Sequence, residues 1–139
     1  MNFTNRTDIR NSLEKLKRVP HDPSKSANQS FFGKIDIDCF YIDIMAGTIA
    51  CCHPRVQFDY LGHYKKITVG IYEVIKEQEY AISPNQDDRF NGFPWLKYFT
   101  YTTTKGISKP SYMGEMIPMD EVVSLIRDLY KVSRLKIFF

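Results

Sequence analysis

Alternation dominates the first half of the chain. From Lys34 to Pro54 the sequence reads KIDIDCFYIDIMAGTIACCHP, in which Asp36, Asp38 and Asp43 alternate with isoleucines before a glycine, the period of a half-buried β-strand. Ile35 and Ile37 stand at odd positions and Ile42 and Ile44 at even ones, so one uninterrupted pleat points two of them inward and two outward. A bulge near Cys39 and Phe40 restores the phase. The four isoleucines then share the core side, and Asp36, Asp38, Tyr41 and Asp43 share the other. Ala46-Gly47 places glycine where a two-residue hairpin turn takes positive φ, which predicts a return strand over 48–52 and, after Pro54, a short strand over 56–60.

Helical spacing brackets this region. Ile9, Leu13 and Leu16 recur at i, i+4 and i+7 behind a candidate N-cap at Thr7, which predicts a helix over 8–18 ended by Pro20. The segment 21–30, HDPSKSANQS, reads as a flexible loop. Residues 65–76 are rich in β-branched side chains and predict a strand, with Ile67, Val69 and Ile71 on one side and Glu73 a candidate for the same side. A further strand end is expected near Tyr80 to Ile82, then a long loop over 83–94. The run 95–104, WLKYFTYTTT, predicts an aromatic and threonine-rich strand, and 105–117 a second loop. Asp120 and Glu121 open a helix over 121–133 whose stripe is Val122, Leu125, Ile126 and Leu129. The alternating tail LKIFF predicts a last strand. Strands joined without helical crossovers imply a mostly antiparallel sheet packed by an N-terminal and a C-terminal helix, a single α+β domain over 1–139.

Composition narrows the class. With 139 residues, 43% apolar and 25% charged, the chain is large enough to bury one core. No stretch approaches the roughly 18 apolar residues of a membrane helix, and MNFTNRTDIR lacks the apolar stretch of a signal peptide. Three cysteines make a poor disulfide framework, which points to a reducing compartment and the cytoplasm. The net charge of +3 hides a segregation: basic ends flank an acidic centre around residues 35–60. A pI near 8.7 is below the value of about 9 expected of a dedicated nucleic-acid domain.

Candidate chemistry is sparse. Asp36 and Asp38 on one strand side stand about 7 Å apart, a spacing that with Asp43 and water suits Mg²⁺ or Mn²⁺. Alternation along a half-wet strand produces the same pattern, and spacing alone does not make ligands converge. Adjacent Cys51 and Cys52 point to opposite strand sides and do not chelate one ion together, so no metal and no cofactor is assigned. No nucleophile elbow, phosphate loop or dinucleotide fingerprint occurs, and no catalytic residue is named. In the loop NQDDRFNGFPW, Arg89, Phe90, Phe93 and Trp95 are residue types that dominate binding hot spots; they dock on a partner or fold back as a lid over the sheet.

The reading adopted from these features is a small non-enzymatic inhibitor, of the toxin-immunity or phage anti-defence type, that occludes a partner protein. Its expected docking residues are Asp36, Asp38, Tyr41, Asp43, Arg89, Phe90, Phe93 and Trp95, and its expected partner is a basic toxin or defence effector. The alternatives are a metal-dependent nuclease or phosphodiesterase built on Asp36 and Asp38, with His53 or His63, and a nucleic-acid-binding module using Lys105, Lys109, Arg127, Lys131, Arg134 and Lys136.

Overall fold

The computed structural model describes residues 1–19, 31–48, 50–99, 102–104, 107–109 and 111–135. The expected loop over 21–30 and the expected strand beyond Leu135 lie outside them. Helix α1 (Arg6–Glu14) is followed by strands β1 (Phe31–Ile37), β2 (Phe40–Met45), β3 (Lys66–Ile75) and β4 (Gln78–Ala81), then β5 (Thr102–Thr104), β6 (Ile107–Lys109), β7 (Met113–Pro118) and helix α2 (Met119–Leu135). The architecture is α+β. A five-stranded antiparallel sheet runs in the order β1-β2-β3-β4, with β7 also on β3, and β5 and β6 form a separate ribbon.

The phase change among the isoleucines is real, but a turn makes it. β1 and β2 are a hairpin closed at Ile37 and Phe40, and Asp38 takes φ of 59° in the two-residue connection. Antiparallel partners share a side of the sheet, so the pairs Ile35 with Ile42 and Asp36 with Tyr41 sort isoleucines from acids without a bulge at 39–40. All four isoleucines are buried. β3 continues the pattern, with Ile67, Val69, Ile71 and Glu73 buried. Val122, Leu125, Ile126 and Leu129 of α2, and Ile9 and Leu13 of α1, complete the core against them.

Four expectations change. α1 starts earlier than Thr7 because Asn5 caps it, accepting from the Asp8 amide at 3.1 Å. It stops at Glu14 because the next residues pair elsewhere: Leu61 N–H donates to the Leu16 carbonyl at 2.9 Å and Arg18 N–H to that of Asp59 at 2.8 Å. Ala46-Gly47 is no hairpin turn. The described residues between β2 and β3 form no further strand, although His53 bridges Lys66 at the start of β3, and Arg18 clasps them, its guanidinium donating to the carbonyls of Ala46 and Phe58 and to the Tyr64 hydroxyl.

The aromatic run at 95–104 is not one strand. Pro94–Tyr98 forms a 3₁₀ turn that puts Trp95 and Phe99 inside together, ring centroids 5.8 Å apart. The expected loop after it contains β7, which takes the part of the β3 edge that β4 leaves free. There Gly114 is packed so closely that a Cβ would lie 2.7 Å from Phe99 and Ile117.

Candidate functional site

The sheet turns its isoleucine side to the helices, and the other side carries the acids. Two cross-strand rows define that side. One runs Asp36, Tyr41, Tyr72, Ala81 over β1, β2, β3 and β4; the next runs Lys34, Asp43, Gly70, Met113 over β1, β2, β3 and β7. The Tyr41 and Tyr72 rings stack at 4.9 Å and 7°, an arrangement available to direct cross-strand neighbours. The Lys34 ammonium lies 4.7 Å from the Tyr41 centroid, and the Tyr41 hydroxyl donates to Glu79 Oε2 at 2.9 Å. Gly70 keeps the adjoining space low: a Cβ there would meet Met113 Sδ at 2.9 Å.

Around the Tyr41–Tyr72 stack, Asp36, Asp43 and Glu79 are set against Lys34, with Lys66 further along β3 on the same side. Burial pushes the Asp43 carboxyl pKa up and Glu79 adds to the effect, while Lys34 opposes it. Burial and the bond to Glu79 push the Tyr41 phenol far up. Tyr72 is raised by burial and by the charges of Asp43 and Glu79. Partly desolvated carboxylates short of counter-charge gain most from a cation brought by another molecule.

Of the expected docking residues, the fold brings Asp36, Tyr41 and Asp43 onto this face. Asp38 is exposed but sits in the hairpin turn. Tyr41 is covered by its neighbours and presents little surface of its own. The loop aromatics are a correction: Phe90 and Trp95 are wholly buried, and the Trp95 indole N–H donates to Asp128 Oδ2 at 2.9 Å. Apolar rings of that size release more free energy in the core than on a wet loop, and three 3₁₀ turns at Pro84–Gln86, Asp88–Phe90 and Pro94–Tyr98 fold them in. Phe93 is half-buried, stacked on Trp95 at 5.5 Å. Arg89 donates to both carboxylate oxygens of Glu73, at 2.8 and 2.9 Å, and to Asp87 at 2.7 Å. Those two partners raise its already high pKa and give it a structural task.

Tyr72, Glu79, Lys34 and Ala81 were not named from the sequence. Tyr72 was within reach of it, since residues alternating with Ile67, Val69 and Ile71 belong to the outer side. Glu79 was not, because the β3–β4 turn falls at Lys76 and Glu77, which lack turn chemistry. The cysteines do not converge: Cys52 is buried with its thiol at 3.2 Å from both the amide and the carbonyl of Gly47, whereas Cys51 is half-buried and its thiol is raised by burial and by Glu115. Among the described residues no three His, Cys, Asp or Glu side chains gather as a metal would require, and no helix is long and apolar enough to cross a membrane. Arg127, Lys131 and Arg134 lie along α2; the side chains of Lys105, Lys109 and Lys136 lie outside the described part. No protein-family model, curated protein sequence or solved structure matches the chain.

Proposed function

We propose that the protein is a stoichiometric binding protein that occludes a basic partner protein, in the manner of toxin-immunity or anti-defence inhibitors, and that it docks through the side of the sheet turned away from the helices. The observation that carries this reading is the group of Asp36, Asp43 and Glu79 around the stacked Tyr41 and Tyr72, with Lys34 the cation opposite. A surface with excess negative charge steers a basic protein and fixes its register. The uncovered part of Tyr72, held by its stacking on Tyr41, supplies area that is already ordered, so little side-chain entropy is lost on docking. Asp38, at the hairpin tip, extends the acidic surface; the Arg89 to Trp95 segment supports the core beneath and leaves the docking set.

The test starts with affinity capture from the source cells and identification of the captured protein. Its dissociation constant is then measured for the wild type and for the combined Asp36→Asn, Asp43→Asn, Glu79→Gln protein. The expected outcome is a loss of more than about tenfold, equivalent to about 1.4 kcal/mol, together with a steep weakening by salt in the wild type. Equal affinities for the two proteins overturn the docking face.

A further inference from the structure

The central row of the docking face is asymmetric in how its rings are covered. Tyr41 is enclosed between Tyr72, stacked at 4.9 Å from β3, and the Lys34 ammonium, which reaches it from β1 at 4.7 Å. Tyr72 is covered on the Tyr41 side, but its neighbour on the other side of the row is Ala81, whose methyl group shields little of an aromatic ring. Ala81 is exposed and Tyr72 half-buried. Glu79, two residues away on the same side of β4, is held in place by the Tyr41 hydroxyl at 2.9 Å, and the charges of Glu79 and Asp43 both bear on Tyr72.

We infer that the place beyond Tyr72, above Ala81, is a guanidinium subsite: an arginine of the docked protein stacks there and pairs with Glu79, completing the cation-tyrosine-tyrosine row that Lys34 begins. The inference rests on the docking reading and names the side chain it selects. Arginine fits better than lysine for two reasons. Its planar guanidinium stacks on a ring while its edge donates to a carboxylate, and it is more weakly hydrated than an ammonium, so it loses less on settling against a half-buried ring. The Tyr41–Glu79 bond adds preorganisation, because the carboxylate does not have to be ordered when the cation arrives.

Two blocked octapeptides serve as probes, one alternating arginine with glycine and one alternating lysine with glycine, compared by calorimetry at one ionic strength. The arginine peptide binds the wild type at least tenfold tighter than the lysine peptide. Tyr72→Leu removes that preference, and Glu79→Gln weakens the arginine peptide several-fold. Ala81→Arg, a change at an exposed strand position, tethers a guanidinium over Tyr72 and abolishes binding of the free peptide; it keeps the test decisive should Tyr72→Leu fold poorly. Equal affinity for the two peptides, absence of binding by both, or an Ala81→Arg protein that binds the arginine peptide like the wild type overturns the subsite. None of these outcomes disposes of the docking face, which stands or falls on the captured partner and the three-carboxylate variant.

Discussion

Positions 76 and 77 turn β3 into β4 with φ of 50° and 68° at a lysine and a glutamate. A two-residue loop with positive φ at both places has the twist that antiparallel strands need, and Asn-Gly fills it with least strain. Replacing Lys76 and Glu77 together by Asn and Gly raises the free energy of unfolding by about 1 kcal/mol, read as a higher denaturant midpoint at unchanged slope; an unmoved or lowered midpoint counts against strain at this turn. Asp43 makes a second residue-scale prediction. Burial and Glu79 hold its pKa above the ordinary value despite Lys34, so the native state keeps the proton to higher pH than the unfolded chain does. Stability from this group is therefore lost as pH rises from the unfolded pKa through the raised native one. Asp43→Asn escapes that loss: it is more stable than the wild type at neutral pH, and the advantage shrinks as pH falls through the raised native pKa toward the unfolded value of about 4. Thermal unfolding across that range checks it, and a constant difference at all pH values removes the claim that Asp43 is charged at a cost.

Among the elements, an ion pair joins the sheet to the 3₁₀ turn at Asp88–Phe90. Glu73 is buried on β3 and receives two bonds from Arg89, with the guanidinium also 5.5 Å from the centroids of Phe40 and Phe90. Arg89→Met takes the counter-charge from a buried carboxylate and destabilises by about 3 kcal/mol, whereas Arg89→Met combined with Glu73→Met costs markedly less. Chemical denaturation of Arg89→Met, Glu73→Met and the double variant decides it, and a double variant as unstable as the sum of its singles shows that the pair is not coupled. The inward direction of Glu73 was legible from its spacing to Ile71 and Val69, because a strand's two-residue period is local. Its partner was not, since Arg89 reaches it from sixteen residues away through a loop with no period. The same limit explains the turns. Asp38 and Cys39 lack the glycine that marks a hairpin, Ala46-Gly47 has it without being one, and β7 becomes a strand only because part of the β3 edge is free.

At the scale of the molecule, the aromatic surplus of the 85–99 segment builds the interior and the acidic surplus of the centre stays outside. Trp95 is the single tryptophan of the chain and is fully buried beside Phe90, Phe93 and Phe99. Trp95→Ala accordingly destabilises by about 3–5 kcal/mol, and acrylamide quenches native Trp95 fluorescence far less than that of the denatured chain; equal quenching of the two refutes the burial. Local pattern alone determined that Ile35, Ile37, Ile42, Ile44, Ile67, Val69 and Ile71 face the core, that two amphipathic helices cover them, and that Asp36, Tyr41 and Asp43 turn away, because alternation and helical spacing act between residues a few positions apart. Tertiary structure alone decided that Trp95 and Phe90 go inside, that the isoleucine phase changes at a turn, and that Tyr41 meets Tyr72 and Glu79. The last two contacts join different strands, and Tyr41 and Glu79 are 38 positions apart. Their meeting depends on strand order and register, which follow from closing the whole sheet over its core.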